Sequence, residues 1–67
     1  MIRIVQVGVG IRGETWARII GDDPRAEVVG YVARKMEKLQ RRVAEFGDEG
    51  VPCFVDLAKA LDETSPD

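Results

Sequence analysis

Three glycines near the start of the chain, Gly8, Gly10 and Gly13, stand in the pattern G-x-G-x-x-G, with Val9, Ile11 and Arg12 between them. Each glycine has a separate use at this spacing. Gly8 permits a tight turn, Gly10 lets a pyrophosphate approach the main chain where a Cβ would stand, and Gly13 lets a following helix lie close to the preceding strand. A helix opening here would present free N–H groups, and the positive end of its dipole, to an anion. The competing reading is a glycine-rich loop that only reverses the chain. The phosphate-binding reading requires a strand immediately before the motif and a helix immediately after it.

A second group of residues bears on which phosphate. Sites of this kind that bind NAD carry an Asp or Glu about 20 residues beyond the motif, where it holds the adenosine ribose. Ala33 occupies that place, 20 residues after Gly13, and Arg34 and Lys35 follow. No carboxylate is available to hold a 2′-hydroxyl or to repel a 2′-phosphate, and Arg can grip a phosphate with two parallel hydrogen bonds. Ala33, Arg34 and Lys35 therefore join Gly8, Val9, Gly10, Ile11, Arg12 and Gly13 as candidate cofactor-binding residues, with NADP preferred over NAD. The alternative is that Arg34 and Lys35 are exposed residues beginning a helix. Cations are unfavourable at a helix N-terminus, which argues against that alternative.

Composition removes other chemistries. The chain of 67 residues has one cysteine, Cys53, and no histidine, so it holds no internal disulfide, no Ser-His or Cys-His pair and no expected metal site. Cys53, between Pro52 and Phe54, reads as a small buried hydrophobe. Net charge is −2 with both signs interspersed, which gives no footprint for nucleic acid. The local cluster Arg41-Arg42, with Lys35 and Lys38 nearby, reads as a solvated helix face. The first apolar run is cut at Gly8, too short for a signal-peptide core or a membrane span, so a cytoplasmic protein is expected.

The elements must then place these residues. Ile2, Ile4, Val5 and Val7 form a β-rich run apolar on both faces, which suits a covered strand of a parallel sheet. From Glu14 the period changes, with Trp16, Ile19 and Ile20 at helical spacing, and Gly21-Asp22-Asp23-Pro24 stops the helix, Gly21 as its cap. Val28, Val29, Tyr31 and Val32 make a second strand. Met36, Leu39, Val43 and Phe46 form an amphipathic stripe, read as core, with Gly47 as its cap. Cys53-Phe54-Val55 is a short third strand, and Asp56 caps a last helix with Leu57, Ala58 and Leu61. The alternation predicts an α/β partial Rossmann fold, βαβαβα, with three parallel strands, flanking helices and right-handed crossovers. Residues 1–67 read as the N-terminal half of a dinucleotide-binding domain, with an intact start, a cut end and the substrate domain absent. In the usual strand order the first strand would keep an unpaired edge here, which favours self-association.

With these residues in place, the sequence resembles the N-terminal region of the glucose–fructose oxidoreductase and inositol dehydrogenase family (Gfo/Idh/MocA). The resemblance runs from Met1-Ile2-Arg3-Ile4 into the glycine motif and Trp16-Ala17-Arg18. It continues through Asp23-Pro24 before Ala26-Glu27-Val28-Val29, then Val51-Pro52-Cys53-Phe54-Val55-Asp56, and on from Leu61 to Pro66-Asp67. It implies an NAD(P)-dependent oxidoreductase acting on a sugar, cyclitol or related hydroxyl or carbonyl compound. The family's catalytic lysine and substrate-binding residues lie further along, so no catalytic residue carries over, and the 67-residue chain alone is expected to be inactive. Two positions depart from the family. Ala33 replaces the acidic residue of NAD-preferring members, and Trp16, where histidine is frequent, is assigned only packing. The expected partners are a dinucleotide, a small-molecule substrate in the intact protein and further copies of the protein, with no nucleic acid or membrane. Another G-x-G-x-x-G dehydrogenase or reductase, or a non-catalytic nucleotide-sensing module, remains open.

Overall fold

The computed structural model describes all 67 residues. Strand β1 (Ile2–Val7) leads into helix α1 (Ile11–Gly21), followed by β2 (Ala26–Val32), α2 (Met36–Glu45), β3 (Cys53–Phe54) and α3 (Leu57–Thr64). The three strands form one parallel sheet with β2 in the centre. β1 runs in register with β2 from Ile2 opposite Ala26 to Val7 opposite Val32, with a shift between Ile4 and Val5 that skips Val29. β3 pairs only Cys53 with Tyr31 and Phe54 with Val32. This is a partial Rossmann-like α/β fold, as the alternating periods predicted.

Successive β2 side chains point to opposite faces of the sheet, and two small cores result. Tyr31 packs with Leu39 and Val43 of α2 and with Val9 of the glycine loop, and Met36 and Phe46 complete the stripe read from the sequence. On the other face Val32 packs with Phe54 and with Ala60 of α3. Asp56 caps α3 as expected, its Oδ1 accepting from the N–H groups of Ala58 and Lys59 at 2.9 and 3.3 Å. The cap of α2 is Phe46 and not Gly47, which follows it with φ +84°, a left-handed conformation that a Cβ would strain.

Several expectations are corrected. α1 begins at Ile11, before Glu14, so Gly13 lies inside its first turn. Gly21 is the last helical residue and Asp22 is the cap. None of the α1 positions read at helical spacing is buried, Trp16 being 59% exposed and Ile19 52%; the buried residue of this helix is Ala17, and Trp16 lies outside both cores. β3 stops at Phe54, leaving Val55 exposed. Nor is β1 a fully covered strand: Ile2 and Val7 are exposed while polar Gln6 is buried. Its outer edge is not wholly unpaired either. Arg3 N–H donates to the Asp67 carboxylate at 2.8 Å and Arg3 C=O accepts from Asp67 N–H at 3.0 Å. The next outward-facing amides along this edge, by strand alternation, are those of Val5 and Val7. No helix is long and apolar enough to cross a membrane.

Candidate functional site

The glycine motif sits where the phosphate-binding reading requires it. β1 ends at Val7, and Gly8 turns the chain with φ +96°, a conformation strained for any residue with a side chain. Gly8 N–H still reaches back to Val32 C=O at 2.8 Å, which fixes the start of the loop to the end of β2. Gly10 is the N-cap of α1, and no side chain caps the helix. Glu14 N–H is the first amide to bond back into the helix, to Gly10 C=O at 2.9 Å. The N–H groups ahead of it lack intrahelical acceptors, as at any helix start. A Cβ built on Gly10 would meet nothing within 4 Å, so the main chain is open on that side. A Cβ on Gly13 would lie 2.5 Å from Gly8 O, which shows why the first turn of α1 carries glycine.

Between this loop and the start of α2 lies a cleft of about 600 Å³, within the roughly 300–1,000 Å³ common for small-molecule sites. Val9, Gly10 and Ile11 line one wall, and Ala33, Arg34, Lys35, Lys38, Leu39 and Arg42 line the other. The structure thus brings together two groups of residues separated by some 20 positions in the chain. Arg12 is not among them. With Gly8 and Gly13 it lines a separate groove across the loop, beside Gln6 and Trp16. The start of α2, like that of α1, borders the cleft without a side-chain cap, so two helix N-termini and several cations surround it. Both features favour an anion.

The cations differ in their commitments. Arg34, Lys35 and Lys38 form no ion pair, whereas Arg42 pairs with Glu14 at 3.1 Å and Glu45 at 3.4 Å. Reading Arg42 as part of a solvated face is therefore corrected. Its side chain is three-quarters covered, its Nε donates to Val9 C=O at 3.1 Å, and its guanidinium lies 5.4 Å from the centre of the Phe46 ring. Lys38, also assigned to a solvated face, lines the cleft one turn beyond Lys35. Its spacing from Lys35 on a helix was the available signal. Gln6 is the other residue missed: a polar side chain inside an apolar strand, two residues before the first glycine.

Two further titratable groups, Cys53 and Tyr31, belong to the core and not to the cleft. Cys53 is half-buried against the Tyr31 cluster, away from the cleft, and burial pushes its thiol up from the ordinary range, away from thiolate reactivity. Tyr31 is fully buried and its hydroxyl donates to the Asp48 carboxylate. Burial, then that hydrogen bond and the neighbouring negative charge, raise it well above the usual tyrosine range. No group of His, Cys, Asp and Glu side chains is placed to hold a metal ion. Compared with known proteins, the chain matches no protein-family model, no curated protein and no solved structure.

Proposed function

We propose that this chain is the cofactor-binding part of an NAD(P)-dependent oxidoreductase, with NADP preferred. One observation carries the reading: an uncapped helix start behind a glycine loop shares a cleft with Ala33, Arg34, Lys35 and Lys38, where no carboxylate intervenes. The residues present fit such a cofactor. The main chain around Gly10 is open to a pyrophosphate, and Arg34 with Lys38 supplies positive charge for a ribose 2′-phosphate. The adenosine end belongs in this cleft, and the groove lined by Arg12 and Trp16 adjoins the other side of the loop. When bound, the nicotinamide supplies hydride chemistry. This chain's own residues bind and orient the cofactor; none is assigned a catalytic role. The resemblance to the Gfo/Idh/MocA family directs the choice of substrate towards sugars, cyclitols and related hydroxyl or carbonyl compounds.

The test is the NADP/NAD affinity ratio of the chain and two variants at fixed ionic strength. The unaltered chain should favour NADP. A charge-assisted hydrogen bond contributes roughly 1.5–3 kcal/mol, or about ten- to more than a hundredfold in affinity. Arg34→Ala removes attraction and should flatten the ratio, whereas Ala33→Asp adds repulsion and should reverse it. A ratio below one that Arg34→Ala leaves unchanged would defeat the NADP assignment. No detectable binding of either dinucleotide would defeat the whole reading.

A further inference from the structure

Two polar side chains outside the expected site are committed to the glycine loop. Gln6, only 7% exposed, reaches forward from β1, and its Nε2 donates to Gly8 C=O at 3.1 Å and Gly13 C=O at 2.7 Å. Both of its donors are used, and its Oε1 is buried with no hydrogen-bond partner. The opposite amide orientation would set Oε1 against two carbonyl oxygens, so the bonds to the loop decide how this side chain lies. From the other side, Arg42 of α2 holds Val9 C=O and also pairs with Glu14 in the first turn of α1. Between the two residues, three carbonyls of the motif are bonded by side-chain donors.

We propose that Gln6 and Arg42 are positioning residues for the glycine loop, holding the Gly8, Val9 and Gly13 carbonyls so that the neighbouring N–H groups are ordered before the dinucleotide arrives. The proposal rests on the dinucleotide reading of the cleft. Its physical basis is preorganisation. Glycine loses more conformational freedom on ordering than any other residue, and a loop already held in its bound shape does not bear that loss on binding. Main-chain bonds alone tie the loop sparsely, through Gly8 N–H at its start and Gly10 C=O at the helix cap. Arg42 has a second effect: it offsets the charge of Glu14, an acid one turn into a helix whose start would receive phosphate. Arg42 lines the same cleft as Arg34 and Lys38, but its Nε and both terminal nitrogens already have partners within the chain. It acts through the loop and not on the 2′-phosphate.

That distinction gives the experiment. The chain, Gln6→Met and Arg42→Met are each titrated with NADP and with NAD, and amide exchange is followed in the free proteins. Each variant should weaken both cofactors by about three- to tenfold, the effect of one or two ordinary hydrogen bonds. The NADP/NAD ratio should stay at its original value, because the loop serves the pyrophosphate common to both. Exchange should quicken at Gly8 and Glu14, the hydrogen-bonded amides at the two ends of the loop, while the amides of β2 keep their protection. A ratio that falls in Arg42→Met would make Arg42 a direct 2′-phosphate ligand and overturn the proposal, as would unchanged affinity in both variants. If the unaltered chain binds neither cofactor, the dinucleotide reading falls and this proposal falls with it. Should a variant not fold, the unaltered chain carries the test. Its Gln6 side-chain amide protons must exchange slowly with and without NADP, and exchange at the rate of free solvent overturns the clamp.

Discussion

Helices α1 and α2 lie on the same face of the sheet and are nearly equal in length, yet they are built for different ends. α2 buries Leu39 and Val43 against Tyr31, packs Met36 and the following Phe46 beside them, and turns its charged side chains outward except Arg42. α1 buries only Ala17, starts without a cap, carries a glycine in its first turn and leaves Ile11, Trp16 and Ile19 exposed. The difference separates stability from binding. α2 closes the core, while α1 holds main-chain donors and open space at its start. Arg42 joins the two, since it stands on the packed helix and bonds the loop that opens the other.

Truncating one apolar side chain on each helix should separate the two roles most widely. Leu39 is fully buried, and Leu39→Ala should cost about 2–5 kcal/mol. A domain of this size has only a few kcal/mol to lose, so the variant should be largely unfolded at room temperature. Ile19→Ala, at an exposed position, should change stability by less than about 0.5 kcal/mol. Denaturant midpoints measure both. Equal losses would show that α1 is as much a part of the core as α2.

Two glycines of α1 give the next contrast. Alanine is ordinarily the better helix former by about 1 kcal/mol, and Gly21→Ala, with nothing within 4 Å of its new Cβ, should stabilise the chain by up to that amount. Gly13→Ala should do the opposite, losing about 1–3 kcal/mol and dinucleotide binding, because its Cβ would collide with Gly8 O. Thermal midpoints and titration with NADP read the pair. A stabilised Gly13→Ala variant that still binds would refute the close packing of loop and helix.

Tyr31 offers a smaller effect with a pH signature. Removing its hydroxyl in Tyr31→Phe should cost about 1 kcal/mol, since the half-buried Asp48 can still be met by water. Folding raises the Tyr31 pKa above its unfolded value of 10.0, so the protonated form is favoured in the folded state. The resulting stabilisation is fully present below pH 10 and is lost as the pH rises beyond it. Tyr31 is the only tyrosine, so phenolate absorbance reports it alone. Ionisation in the folded chain near pH 10 would contradict the buried environment. Tyr31→Phe should lack this part of the alkaline loss.

The smallest effect is expected at Trp16. Trp16→Ser should leave stability within about 0.5 kcal/mol, and emission from this single tryptophan should be that of a water-exposed indole. A blue-shifted emission would show that the α1 face is covered in solution.

Much of this was determined by the sequence alone. Alternating periods place three strands and three helices in order, because a half-buried strand and an amphipathic helix repeat differently. The glycine spacing locates the loop, since few other residues tolerate the φ of Gly8 or fit beside Gly8 O at Gly13. Asp56 announces the start of α3 through the capping bond it makes two and three residues on. Other features were decided only by the tertiary structure. Trp16 and Ile19 have helical spacing but face away from both cores, because periodicity says which residues share a face and not whether anything covers it. Lys38 belongs to the cleft because the turn after β2 swings the start of α2 towards the glycine loop. Gln6 meets the loop carbonyls once the chain turns from β1 into α1, whereas Arg42 reaches Val9 from a different helix, which requires the parallel sheet to bring the ends of β1 and β2 side by side. Local pattern governs local conformation, whereas a hydrogen bond between residues 33 positions apart, such as Arg42 to Val9, exists only once the chain has closed on itself.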